Sequence, residues 1–178
     1  MSKKYFDYSF QIKRTKTTLV IFLVVIIVAL TVFFTWYNGR VKKVKLDDLQ
    51  YKEIFGLNSF KAKDCDASYR VNYKKTTCGT ICITKSSLNN NSLSSIKSDM
   101  EANGFKFTGK KQTKLGNKSW DYIRTNNNEP EFNYYSINTK NYTYTMEFVN
   151  QTKNLDKTNQ NNCNKIMKKF NNSIKIND

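Results

Sequence analysis

The sequence predicts an α+β protein: an N-terminal transmembrane helix, then an antiparallel sheet of about six strands covered by two helices. Three observations predict it. Residues 19–37, LVIFLVVIIVALTVFFTWY, form an apolar run without a single charge. Behind it, apolar and polar residues alternate with period two in several short stretches. Between and after those stretches lie two segments with apolar residues at helical spacing.

The apolar run comes first. About 20 apolar residues span a hydrocarbon core of roughly 30 Å. Trp36 and Tyr37 close the run where amphipathic rings favour the membrane interface, and Lys13, Arg14 and Lys16 flank its start. The run is longer than a signal-peptide core and no small-x-small cleavage site follows it, so an uncleaved signal anchor is expected. The tail before the run carries Lys3, Lys4, Lys13, Arg14 and Lys16; the far flank carries Arg40, Lys42, Lys43 and Lys45. This bias is small. The basic residues packed against the start, and the ease with which a large C-terminal part is translocated, favour an inside N-terminus. The expected organisation is a basic cytoplasmic tail at 1–18, a signal-anchor helix at 19–37, a juxtamembrane linker at 38–60 and an extracytoplasmic α+β domain at 61–178.

In the linker, Asp47 or Asp48 is placed to cap a short helix through LDDLQYKEIFGL, ended by Gly56. The other reading, which is preferred, is a stalk segment that packs on the domain. Strands are expected over SYRVNY and GTICIT, with Tyr69, Val71 and Tyr73, then Ile81 and Ile83, alternating. Asn89–Asn91 form a loop with Ser92 as a candidate N-cap. Leu93, Ile96 and Met100 then fall at helical spacing, and Gly104 ends that helix. Phe105 and Phe107 alternate next. After a Gly116-Asn117 turn come Trp120 and Tyr122, a hairpin signal. EFNYYSIN and NYTYTMEFV follow, joined near Lys140-Asn141; Tyr142, Tyr144, Met146 and Phe148 line one face and Thr143, Thr145 and Glu147 the other. The last element is a helix near 156–172, capped by Asp156, with Cys163, Ile166, Met167 and Phe170 as an apolar stripe.

The segment GFKFTGKKQTKLGNKSWDYIRTNNNEPEFNYYSINTKNYTYTMEFVN, with KIMKKFNNSIKI after it, resembles the second half of PsbP/Mog1-like domains. The shared features are a meander whose turn holds a Gly-Asn-Lys-like motif, an aromatic Tyr-x-Tyr run and a closing helix with a short tail. The resemblance covers roughly residues 92–176. It implies an accessory or interaction domain, because that fold usually carries no active site. It assigns no catalytic residues.

The formal net charge is +16, from 30 basic and 14 acidic residues. Nucleic-acid readout favours Arg, yet only Arg14, Arg40, Arg70 and Arg124 are Arg. The abundance of Lys and Asn fits an AT-rich coding sequence and a solvated surface, so nucleic acid is a disfavoured partner. No histidine is present, which removes the commonest general base and transition-metal ligand. Asp64-x-Asp66 and Glu129-x-Glu131 lack the frame of a calcium loop and read as solvated carboxylates. No metal or other cofactor is implied.

Cys65, Cys78, Cys82 and Cys163 all follow the apolar run. The spacing of Cys78 and Cys82 suits neither zinc nor a thioredoxin-like site, and a cysteine nucleophile would lack its His. Disulfides remain, with four reduced core cysteines as the other reading. On one straight strand Cys78 and Cys82 would lie about 13 Å apart at ~3.3 Å per residue, too far to bond. They could pair only if Gly79 makes a turn; of the three possible connectivities the preferred one is Cys65–Cys78 with Cys82–Cys163, the second tying the closing helix to the sheet. Among the meander aromatics, Tyr134, Tyr135, Tyr142 and Tyr144 are candidate ligand contacts by stacking, with core as the default for half of them.

The expected function is a single-pass, non-enzymatic binding or accessory protein of the cell envelope. Its basic extracytoplasmic domain would meet a membrane or envelope protein partner, or an anionic cell-wall polymer. Two rivals remain: inverted topology, with a cytoplasmic domain on nucleic acid or anionic lipid, and an envelope enzyme built on carboxylates. The oligomeric state is left open.

Overall fold

The computed structural model describes residues 8–39, 41–88, 93–125 and 130–177; within the first helix it describes the side chains of 18–34. Two units separate, Met1–Val41 and Lys42–Asp178.

The first unit holds helix α1, Tyr8–Gly39. Its large apolar side chains from Leu19 to Phe34 are 39–65% exposed all round the helix. Thr31, the polar residue within them, turns its hydroxyl back to the Ile27 and Val28 carbonyls at 2.9 and 2.8 Å. Among the described residues no helix is long and apolar enough to cross a membrane. The 19–37 run continues past the residues whose side chains are described, and so do Lys13, Arg14, Lys16, Trp36 and Tyr37.

The second unit begins with a hairpin, β1 (Lys42–Leu46) and β2 (Leu49–Glu53). There follow β3 (Leu57–Ser59), β4 (Ala67–Tyr73), β5 (Thr76–Ser87), α2 (Leu93–Ala102), β6 (Lys111–Leu115), β7 (Lys118–Arg124), β8 (Glu131–Asn138), β9 (Tyr142–Asn150), α3 (Lys157–Ser173) and β10 (Lys175–Ile176). Strands β3-β4-β5-β9-β8-β7-β6 form one sheet and β1-β2-β10 a second. Every pairing is antiparallel.

The described residues thus hold ten strands where about six were expected. Much of the difference lies in the expected linker. Residues 42–59 form β1, β2 and β3, and Leu49 and Tyr51 are core residues of the domain. The segment packs on the domain as the preferred reading had it, but as strands and not as a capped helix. Asp47 and Asp48 make the hairpin turn, Asp47 at φ 51, a left-handed conformation that Asp tolerates. The apolar residues that looked helical do not share a side: Leu49 and Tyr51 are buried by period two, whereas Phe55, in the next turn, is 83% exposed.

The large sheet is covered on both faces. Helix α3 lies on one, with Cys163, Ile166, Met167 and Phe170 buried among Val71, Ile81, Ile83, Met146 and Phe148. The small sheet closes the same core with Leu49, Tyr51 and Ile176, around Trp120 and Tyr144. Asp156 caps α3, its Oδ1 accepting the Asn159 N–H at 2.9 Å. On the opposite face Leu93, with Ile96 and Met100 of α2, meets Phe107, Ile123 and Tyr134. Phe105 and Phe107 serve that second core and not the hairpin; Phe107 makes a single bridge to Thr125. The strand that forms the hairpin with β7 across the Gly116-Asn117 turn is Lys111–Leu115. The Ser92 cap lies outside the described residues.

Candidate functional site

All four cysteines are bonded, as Cys65–Cys82 and Cys78–Cys163, with Cα separations of 5.5 and 5.6 Å. The preferred sequence pairing is corrected, and the reason is a β-bulge. Val71 of β4 faces Gly79 while Asn72 faces Thr77, so Cys78 is the extra residue. Without the bulge, Cys78 and Cys82 would share a face. With it, Cys78 turns into the α3 core, where Cys163 meets it, and Cys82 turns to the α2 face, where Cys65 meets it. A bond does tie the closing helix to the sheet, through Cys78 and not Cys82.

The candidate ligand tyrosines do not form an exposed stacking platform. Tyr144 is fully buried; its hydroxyl donates to the Leu46 carbonyl at 2.7 Å and accepts the Asp48 N–H at 3.2 Å, fastening the small sheet to the large one. Tyr135 is partly buried and stacks on Tyr122 at 4.9 Å between centroids. Tyr142 is partly buried, with the Lys85 ammonium 4.7 Å from its ring centre. Tyr134 faces the opposite side from Tyr135, is 7% exposed and donates its hydroxyl to Glu147 Oε1 at 3.1 Å. Of the carboxylates, Asp66 accepts the Lys85 N–H at 2.6 Å and Glu131 accepts from the Asn133 amide at 2.8 Å; Glu129 lies outside the described residues.

What the structure does present is a lysine face. Register pairs Lys43 with Lys52, and Gln50 with both Lys45 and Lys175. These five side chains share the outer face of the small sheet by alternation, because the inner face buries Leu49, Tyr51 and Ile176. The four lysines are exposed, and among the described residues no carboxylate of these three strands shares their face. Like charges held on adjacent strands repel, so such a face gains from an anionic partner. The sequence signal was available: Lys43-Val44-Lys45-Leu46 alternates charged and apolar residues. By itself it reads as charge flanking the apolar run, because Lys52 and Lys175 join it only by strand pairing.

On the far face of the large sheet, burial holds the Glu147 carboxyl above the ordinary carboxylate range, and the Tyr134 hydrogen bond only partly offsets this. The unfolded chain ionises Glu147 first, so this residue lowers stability as pH rises from the ordinary carboxylate value through the raised one. Glu147→Gln is expected to flatten that part of the stability–pH curve. Urea midpoints measured from pH 4 to 7 check it; an unchanged slope contradicts it.

No protein-family model matches the chain, and no curated protein matches it. Among solved structures the chain is similar to the solution structure of cyanobacterial PsbP (CyanoP) from Synechocystis sp. PCC 6803. The TM-score is 0.50 and the identity 8%, over 76% of this chain and 92% of that one. At that identity the likeness concerns the fold alone. This chain has the fold of PsbP-like domains, and the resemblance expected from its meander and closing helix holds at that level.

Proposed function

We propose that the protein is a membrane-anchored, non-enzymatic accessory protein whose disulfide-bonded domain lies outside the cytoplasm and binds an anionic envelope polymer through its lysine face. The observation that carries this reading is the outer face of the small sheet: Lys43, Lys45, Lys52 and Lys175 together, without an acid. A chain of net charge +16 attracts anions everywhere, but only a fixed cluster holds a polymer in one place. Two further features support the address. The 19–37 run carries no charge and lies within a 32-residue helix whose described apolar side chains are exposed. All four cysteines are in disulfides, which persist in oxidising compartments. The likeness to a PsbP supports an accessory role by fold analogy.

Two measurements test this. Binding of the full chain in detergent to a poly(glycerol phosphate) probe is expected to fall with added salt. Changing Lys43, Lys45, Lys52 and Lys175 to Gln is expected to weaken it about tenfold or more, at up to ~1 kcal/mol per lysine. Changing Lys106, Lys111, Lys114 and Lys168, which are exposed elsewhere, removes the same charge and is expected to weaken binding far less. Equal losses would show general charge and no site. On intact cells, a membrane-impermeant maleimide is expected to label the thiols only after external reduction. Labelling without reduction, and only once cells are permeabilised, would place the domain in the cytoplasm.

A further inference from the structure

A groove of about 480 Å³ lies on the α2 face of the large sheet, away from the lysine face. Its floor is two cross-strand rungs. Cys82, Glu147 and Tyr134 form one, from β5, β9 and β8; Thr84 and Thr145 belong to the next. One wall is α2, through Ile96, Asp99 and Met100. The other is the Ala62–Cys65 loop, which carries Lys63 and Asp64 and is held against the floor by the Cys65–Cys82 bond.

Two independent features of this groove point to a missing ligand. Thr145 is 6% exposed and lines the groove, and among the described residues its hydroxyl has no hydrogen-bond partner. A buried hydroxyl without a partner is costly, and native structures seldom leave one. Glu147 is the second. Its Oε1 accepts from Tyr134, but among the described residues none of the three ion pairs includes it. A partly buried carboxylate in a chain with 30 basic residues thus has no cation of its own.

We infer that this groove binds an alkyl ammonium group, seated between the Glu147 carboxylate and the Thr145 hydroxyl with its methylene stem along Ile96, Met100 and Tyr134. The chemistry follows from the lining. Three carboxylates against Lys63 favour a cation. Among the described residues no group of three His, Cys, Asp or Glu side chains is placed to hold a metal ion. A cation that brings its own N–H donors satisfies both oxygens of the floor, and one that brings a carbon stem covers the apolar wall. A lysine side chain of a partner protein and a free diamine share this chemistry. The groove lies on the other side of the large sheet from α3 and takes the opposite charge from the lysine face, so it stands whether or not that face binds a polymer.

The test uses the full chain in nonionic detergent with its methionines ¹³C-methyl labelled. Met100 reports the groove, while Met146 and Met167 report the other core. Cadaverine and Nα-acetyl-lysine methylamide are each titrated, with 1,5-pentanediol as the uncharged control. The expected result is a saturable shift of Met100 alone with at least one amine, and none with the diol. Preference for the lysine derivative identifies a side chain as the ligand, and preference for cadaverine a free amine. Glu147→Gln is expected to weaken binding at least tenfold with Met146 and Met167 unmoved. Asp99→Asn, on the exposed side of α2, is expected to weaken it a few-fold, and it serves if the first variant disturbs the core. An unmoved Met100, equal shifts with the diol, or unchanged affinity in the folded variants would overturn the inference.

Discussion

Replacing Cys78 and Cys163 together by Ala is expected to cost about 4–5 kcal/mol of stability, against about 3 kcal/mol for Cys65 with Cys82. The difference comes from loop length. The first bond closes a sequence separation of 85 residues and the second one of 17, and a longer loop removes more entropy from the unfolded chain. Packing acts in the same direction. Cys78 and Cys163 are 0% and 1% exposed within the main core, so their loss also leaves unfilled space, whereas Cys65 and Cys82 are only partly buried beside the groove. Denaturant midpoints of the two double variants, in the same detergent, decide the matter. Equal costs would mean that neither the longer loop nor the core packing of Cys78 and Cys163 adds to what the shorter loop's bond supplies. The Cys65–Cys82 variant carries a second readout. Its lesser stability loss should come with a large change at Met100, since that bond holds the groove wall.

Gly116→Ala is expected to destabilise the domain by about 3 kcal/mol or more, a large effect for one methyl group. Gly116 sits at φ +59 in the two-residue β6–β7 turn, at the first central position, where such hairpin turns need glycine. The left-handed conformation costs a side-chain-bearing residue roughly 1–2 kcal/mol. The rest comes from collision. A Cβ there would lie 1.6 Å from the Ile174 carbonyl oxygen, a backbone atom, so the tail must move. That tail is β10. Asn117 holds it like a strand neighbour, donating to the Ile176 carbonyl and accepting the Ile176 N–H, both at 2.9 Å. Displacing the tail uncovers Ile174, Ile176 and Leu49 at once. Asn117→Ala breaks the same clamp without the collision and is expected to cost about 2 kcal/mol, the usual price of leaving buried backbone groups unpaired. Thermal or urea unfolding of both variants checks the order. A Gly116→Ala midpoint close to wild type would mean that the turn does not bear on the tail.

This clamp also gives the Gly-Asn-Lys motif of the meander a physical meaning. In the sequence it reads as a hairpin turn. In the fold, the turn meets the end of the chain, and its glycine is required by close approach as much as by φ.

The amino-acid sequence alone determined the elements whose signal is local. The α2 and α3 stripes, the Asp156 cap and the alternation of β4, β5, β8 and β9 each depend on neighbours within a few residues, and each element lies where its pattern placed it. So does the opposition of Tyr134 and Tyr135. Pairing between distant segments was decided by the tertiary structure. One bulged residue at Cys78 reversed the parity of β5 and with it the disulfide partners, and no local pattern marks that residue. Four lysines on three strands became one face through register, which joins residues 43 and 175 only in three dimensions. In the sequence Glu147 and Thr145 share one face of a strand, opposite Tyr144, Met146 and Phe148. They became the floor of a groove because α2 and a disulfide-held loop close over them, and the cost of burying a carboxylate depends on what packs around it.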